Sequence, residues 1–337
     1  MVLSTYNDAR FLAQSVQSIL DQSFRDFELV VVDDGSADDT AEVLAGFRDP
    51  RLRVLRNDRN LGLAVSLNRG IAMARGKYIA RQDADTVSAP NRLELQVNYL
   101  ERHPHVIVMG SNVMATDEAG NAQGIWALPS TDIAIKWTLL FRTPLIHPTV
   151  VMQAADLERV GFYSEDARFC YVEDYELWSR LCPAGTCANL PEPLMNVKCR
   201  RGGIWERHAE PQRRQIEEVS RRAMAAVGGP LDCNPDLWPV VQRFLYSTAS
   251  EQGNWGPADV ARAISALDGL YLSFSRAYKF PARDLKQHRR QSLTLWGKHC
   301  LGLGLRRNGE KNLRYRASLL ASAAGLLSRA ACLGVGT

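Results

Sequence analysis

Phe27-Glu28-Leu29-Val30-Val31-Val32-Asp33-Asp34-Gly35-Ser36 is the stretch on which the fold turns. Its first six residues form a near-continuous apolar, β-branched run, the pattern of a strand buried on both faces. The run stops at two carboxylates, and Gly35-Ser36 are residues that turns favour. Upstream, Phe11, Leu12, Ser15, Val16, Ile19 and Leu20 follow helical spacing, with Asn7 or Asp8 placed to cap the first turn. Downstream the alternation repeats: a helix over 40–47, a strand over 52–55, a helix over 64–74, and a strand over 77–81 that ends at Asp83. Strands alternating with helices predict an α/β fold with a Rossmann-like, mostly parallel sheet flanked by helices. Ligands of such sheets bind beyond the carboxyl ends of the strands. Asp33-Asp34 and Asp83-Ala84-Asp85 both fall at such ends, so they are expected to share one crevice.

Farther along, a helix over 89–102 starts at Pro90, and an apolar strand covers 106–109. The chain is less regular as far as Leu145. Another helix begins near Glu173 and is expected to end at Pro183. Beyond Glu206 the strand signal fades into basic, Ala/Leu-rich helical patterns. The chain is therefore expected to hold one domain over 1–205 and a mainly α-helical C-terminal region over 206–337.

With 46% hydrophobic and 23% charged residues among 337, there is enough apolar material for a sizeable core. No basic stretch with an apolar run opens the sequence, and no apolar segment is long enough to span a bilayer, so a cytoplasmic protein is expected. The seven cysteines, all from Cys170 onward, suit reduced thiols better than a disulfide framework. A net charge of +4 does not imply nucleic acid. The second half is basic, with Arg213, Arg214, Arg221, Arg222, Arg289 and Arg290 among its cations. That face is either a solvated helix surface or a contact for an acceptor, an acidic partner or anionic headgroups at the inner face of the cell membrane. The amphipathic stretch 317–327 either lies in a membrane interface or packs on its own domain.

Three acidic clusters carry the chemistry. Asp83 and Asp85, at i and i+2, point to one side of an extended backbone, where one can hold a divalent cation and the other a sugar hydroxyl. Asp33-Asp34-Gly35-Ser36 is either a turn with a helix cap or a set of acceptors for a base N–H or ribose hydroxyls. Glu173-Asp174 stands at a helix start, where acids favour the macrodipole, and where an ionised carboxylate can take a proton from an attacking hydroxyl. Trp178 lies one turn on, either as a core residue or as a surface for sugar rings. Cys182, Cys187, Cys199 and His208 form an ordered set of soft ligands with loose spacing for zinc, buried thiols being the alternative. No dinucleotide-binding glycine fingerprint, P-loop or Gly-x-Ser-x-Gly elbow is present.

Taken in order, these clusters resemble a family 2 glycosyltransferase of the glycosyltransferase A-type fold over about the first 200 residues. The resemblance rests on Ser4-Thr5-Tyr6-Asn7, the stretch from Phe27 to Ser36, Asn60-Leu61-Gly62-Leu63, Leu67-Asn68-Arg69-Gly70, the segment 74–81 with Asp83-Ala84-Asp85, Pro90-Asn91-Arg92-Leu93-Glu94, His147-Pro148-Thr149-Val150 and Glu173-Asp174-Tyr175-Glu176-Leu177-Trp178. It implies a nucleotide-sugar-binding catalytic domain in which Thr5, Tyr6, Asp33 and Asp34 line the nucleotide site and Asp83 contacts the ribose. Asp85 would coordinate Mn2+ or Mg2+, Asp174 would be the general base with Glu173 beside it, and Trp178 and His147 would border the sugars. The implied reaction inverts the anomeric carbon, moving a sugar from a nucleoside-diphosphate sugar to a hydroxyl of a saccharide or lipid-linked acceptor in bacterial surface-glycan synthesis. Uridine is the expected base, with thymidine its rival. The competing classes are a sugar-phosphate nucleotidyltransferase and a non-catalytic sugar-nucleotide-binding protein.

The chain departs from the family pattern in three places. Family members usually carry more sequence before the first strand, so that strand is expected to be weak here. Thr86 stands where a further Asp is frequent. Val197-Lys198-Cys199-Arg200 replaces a Tyr-Arg-x-His stretch, keeping a cation and losing the His.

Overall fold

A computed structural model describes residues 1–199, 209–228, 237–246, 257–305 and 313–333. The chain forms two compact units, Met1–Val219 and Ser220–Thr337. The expected boundary at 205/206 lies outside the described residues, as do Arg200 and His208.

The first unit begins β1 (Val2–Thr5), α1 (Ala9–Leu20), β2 (Leu29–Asp33), α2 (Thr40–Ala45), β3 (Leu52–Arg56), α3 (Leu63–Met73), β4 (Tyr78–Asp83) and β5 (Val87–Ser88). It continues α4 (Arg92–Arg102), β6 (Val106–Thr116), β7 (Ala122–Trp126), α5 (Asp132–Leu139), β8 (Val151–Gln153), α6 (Ala154–Val160), α7 (Glu173–Ala184), β9 (Thr186–Lys198) and the start of α8 (Ala209–Ala226). The strands lie in the order β3-β2-β1-β4-β8-β6-β9-β5, with β7 on β6. Strands β1 to β4 are mutually parallel, as their apolar runs and crossover helices require. Beyond β4 the expectation of a mostly parallel sheet is corrected to a mixed one, since β8 runs antiparallel to both β4 and β6. The three residues of β8 enter straight from a 3-10 turn at His147–Thr149, so no helical crossover brings them round to a parallel alignment.

Contrary to the weak strand expected, β1 is fully paired, with Val2 and Leu3 buried between β2 and β4. From β1 the chain goes first to β2 on one side and later to β4 on the other, which makes the β1/β4 boundary the topological switch point. Two cores flank the sheet. Val2, Leu67, Ile79, Val150 and Trp178 belong to one, and Leu3, Leu12, Val31, Ala80 and Met109 to the other.

The second unit is helical, with α9 (Leu237–Tyr246), α10 (Pro257–Tyr278), α11 (Ala282–Leu305) and α12 (Leu313–Cys332) following the rest of α8. The apolar face of α12 turns inward, with Ala323, Leu326 and Ala330 buried, which favours packing within the unit for the stretch 317–327. Among the described residues no helix is long and apolar enough to cross a membrane.

Candidate functional site

Strand register brings the acidic clusters together. Across β1, Thr5 pairs with Asp33 on β2, and Ser4 pairs with Asp83 on β4. The nucleotide-side residues therefore line the carboxyl ends of three adjacent strands.

Asp34 is 2% exposed and fully engaged. Its Oδ1 accepts from Asn57 Nδ2 at 2.7 Å and the Leu61 N–H at 2.8 Å, and its Oδ2 accepts from the Gly62 N–H at 2.9 Å. One carboxylate thus ties the Asn60-Leu61-Gly62 loop to β2. Asp33 Oδ1 accepts from the Ser36 N–H at 2.9 Å, closing the turn, while its buried Oδ2 has no hydrogen-bond partner and lies 3.5 Å from Arg56 Nε. Gly35 takes φ +73°, and a Cβ there would sit 2.6 Å from the Arg59 carbonyl carbon, so only glycine fits the turn. Thr5 is buried with Oγ1 unpartnered, Tyr6 is 45% exposed, and Asn7 adopts φ +53°. Asp8 holds the N-cap position of α1 without a side-chain cap bond, and Asp38 instead accepts from the Ala9 N–H at 3.1 Å.

The Asp-x-Asp segment is not extended throughout. Strand β4 ends at Asp83, and Ala84-Asp85 form a turn that the Thr86 N–H and Oγ1 close by donating to the Asp83 carbonyl at 3.3 and 3.0 Å. The expected side-by-side display of Asp83 and Asp85 on a strand is corrected accordingly. Thr86, where a further Asp is frequent, is a buried pin for this turn. Among the described residues no three or more His, Cys, Asp or Glu side chains group as a metal site. Cys182 and Cys187 are buried free thiols, whereas Cys199 is exposed.

Opposite the strand ends, α7 opens with Glu173 and Asp174 in its first turn. Asp174 Oδ1 accepts from the Tyr175 N–H at 2.7 Å. Burial, then the neighbouring Glu173 carboxylate, push the Asp174 carboxyl up to about 7. Burial raises Glu173 as well. The loop entering α7 is strained at Tyr171, φ +73°, whose carbonyl accepts from Gln212 Nε2 at 3.1 Å.

His147 Nε2 and Tyr163 Oη are 2.8 Å apart. Burial, with the charge of Arg81, lowers His147 well below the usual imidazole range, so the ring is neutral. Burial raises the Tyr163 phenol, so the pair shares one hydrogen bond between uncharged groups. Trp178 meets His147 edge to face at 6.1 Å between centroids but is 0% exposed. The expectation that Trp178 lies beneath the sugars is corrected: it is packed in the core and offers no open face.

Two organising residues escaped the sequence reading. Arg81 on β4 is 2% exposed and pairs with Asp83 Oδ1 at 2.5 Å. A charged residue inside an otherwise apolar strand was the signal available. Asn68 on α3 accepts from the Tyr163 N–H at 3.0 Å and donates to the Tyr163 carbonyl and to Glu165 Oε1, both at 2.9 Å. That contact spans 95 residues, so local pattern gave no sign of it.

Comparison with known proteins adds to this geometry. The model of glycosyl transferase family 2 matches residues 1–158. EpsE of Bacillus subtilis (strain 168), named as a glycosyltransferase, is 38% identical over 202 residues, covering 59% of this chain and 72% of that protein. The chain belongs to glycosyltransferase family 2. The amylovoran biosynthesis glycosyltransferase AmsE of Erwinia amylovora is 31% identical over 203 residues, 59% of this chain and 75% of AmsE. In fold, the family 2 domain with its helical C-terminal region is similar to residues 1–349 of S. aureus TarS, solved in complex with UDP-GlcNAc. The TM-score is 0.54 at 16% identity, over 97% of this chain and 89% of that one.

Proposed function

We propose that this family 2 glycosyltransferase transfers a sugar, with inversion, from a uridine-diphosphate sugar to a hydroxyl of a saccharide or lipid-linked acceptor in bacterial surface-glycan synthesis. The observation that carries the reading is Asp174 in the first turn of α7, whose carboxyl is pushed up to about 7 by burial and then by the Glu173 carboxylate beside it. A general base works best with a pKa near the operating pH, and burial supplies that here. Ionised Asp174 takes the proton from the acceptor hydroxyl. The hydroxyl oxygen then attacks the anomeric carbon from the side opposite the nucleotide, and the bond to the diphosphate breaks, so one displacement inverts the centre.

At the nucleotide end, the buried Thr5 Oγ1 has no hydrogen-bond partner and the buried Asp33 Oδ2 has only the ion pair with Arg56, as groups awaiting a ligand would be. The UDP-GlcNAc in the similarly folded TarS supports a uridine nucleotide. AmsE, named for amylovoran biosynthesis, supports a role in making polysaccharide. An open surface groove lined by Arg168, Glu210, Pro211, Arg214, Gln215 and Glu218 adjoins the loop entering α7 and is a candidate place for an acceptor.

Asp85, on the turn that follows β4, offers a hard oxygen ligand, which fits Mn2+ or Mg2+ completed by phosphate oxygens of the donor. Asp85 would hold the ion, whose chemistry is to stabilise charge on the departing diphosphate. The test is calorimetric titration of a panel of nucleoside diphosphates and their sugars, with Mn2+ and with chelator. Metal-dependent binding of UDP is expected, and it disappears in Asp85→Ala. Binding of no member of the panel refutes the reading.

A further inference from the structure

We propose that a basic groove on the helical unit is a docking face for anionic phospholipid, which holds the protein against the surface of a bilayer. The face belongs to the C-terminal helices alone and is independent of the proposed reaction.

Arg283, Lys286, Arg290 and Lys298 line an open groove on α11, together with Leu295 and with Leu333, which follows the last turn of α12. Steps of three, four and eight residues separate the four cations, and such steps keep side chains on one face of a helix. The opposite face carries Ser292, Leu293 and Trp296, all buried. Arg283, Arg290 and Lys298 are exposed, and Lys286 is half-buried. The spacing thus sets the cations on the side of α11 that meets solvent and not on the side that meets the core.

No carboxylate lines the groove. Asp284, in the first turn, is the only acid of α11 and is not among the lining residues. Asp268 of α10 is engaged elsewhere, by Arg289 and Arg329. Among the described residues Arg283, Arg290 and Lys298 enter no ion pair. Like charges three or four residues apart destabilise a helix, so this face gains from an anionic surface laid against it.

Charge alone would suit a soluble polyanion as well as a bilayer, and Leu295 separates the two. One turn before Lys298, it is 64% exposed, more than any other large apolar side chain among the described residues. A soluble polyanion satisfies the cations and leaves this leucine in water. At a bilayer the headgroup phosphates take the cations while the leucine enters the acyl boundary, so both are satisfied.

The experiment is co-sedimentation of the full chain with vesicles of phosphatidylcholine alone and of phosphatidylcholine with phosphatidylglycerol in equal parts. Binding to the anionic vesicles only is expected, with release at about 0.5 M salt. Each cation near an anionic surface is worth about fivefold, so the double variant Arg290→Glu, Lys298→Glu should bind about twentyfold more weakly or worse. Leu295→Ser should weaken binding about threefold or more. Reversing the exposed Arg25 and Arg102 of the first unit to Glu changes net charge equally and should shift binding less than about twofold. Should the double variant fail to fold by circular dichroism, Lys298→Glu decides, with a loss of about fivefold or more expected. Wild-type vesicle binding in a folded groove variant overturns the proposal, as does an equal loss in the Arg25, Arg102 control. Binding of inorganic polyphosphate or duplex DNA without binding of anionic vesicles overturns it too, and gives the face to a soluble polyanion. Nucleotide binding has no part in this readout, so its failure and that of the proposed function are told apart.

Discussion

Asp34 and Asp174 are the same side chain in opposite settings. Asp34, beyond β2, has its oxygens held by Asn57, Leu61 and Gly62. Asp174, in the first turn of α7, accepts from the Tyr175 N–H and lies among other acids, which together with burial lift its carboxyl to about 7. The first arrangement spends a charge on shape, ordering a loop around a crevice. The second withholds solvation so that the carboxylate stays basic. Rigid scaffold at one end and strained electrostatics at the other is the division a transferase needs, because positioning and proton transfer make different demands on a carboxylate.

The largest expected effect breaks the base end. Asp174→Asn should lower kcat by about 10²- to 10⁴-fold while leaving UDP affinity unchanged in calorimetry. The same substitution sharpens the contrast through stability. A carboxyl raised from 3.8 to about 7 in the folded state binds more protons folded than unfolded between those values. Its contribution to stability is therefore fully present below pH 4 and is lost as pH rises through 7. Asn at this position escapes that loss, so the variant should have a higher Tm than wild type at pH 8, with the difference shrinking toward pH 4. Wild-type kcat/KM should fall about tenfold per pH unit below the Asp174 value, since only the ionised form accepts a proton.

Next comes the scaffold end. Asp34→Ala removes the acceptor for three donors and strands the loop N–H groups of Leu61 and Gly62. A loss on the order of 3 kcal/mol in urea unfolding is expected, together with weakened UDP binding. Asp34→Ala should show no Tm gain at pH 8. A gain there would mean that Asp34, too, is held under electrostatic strain, and the division between the two ends would fail.

How much of this was legible beforehand follows from range. The parallel half of the sheet and its acidic strand ends were readable because apolar runs and turn residues are local signals, and 27–36 carries both. The helix start at Glu173 was readable for the same reason. The mixed half was not. Thr186–Lys198, thirteen residues of β9, contains two prolines and alternates poorly, and its pairing with β6 is a tertiary choice. Trp178 illustrates the opposite error. Its spacing from Asp174 was right, but spacing gives a helix face and not what covers it. Arg81 lies within the segment 74–81, and its burial beneath the Asp83 carboxylate is set by what packs on β4, which strand periodicity does not report.

The smallest effect concerns the floor of the crevice. Tyr163→Phe keeps the ring, whose centroid is 5.3 Å from that of His147, and removes only the hydroxyl bonded to Nε2. If the pair is packing that braces the base end, the loss is one hydrogen bond between neutral groups, about 1 kcal/mol in urea unfolding. The rate should then fall less than about tenfold, and the acidic limb set by Asp174 should not move, because Tyr163 stays un-ionised across that range. A rate loss of about a hundredfold with stability unchanged would give the His147–Tyr163 pair a part in the chemistry. The phenol would then belong with Asp174, as a group kept uncharged so that it can hand a proton on, and the boundary between scaffold and reacting groups would move from the mouth of the crevice to its floor.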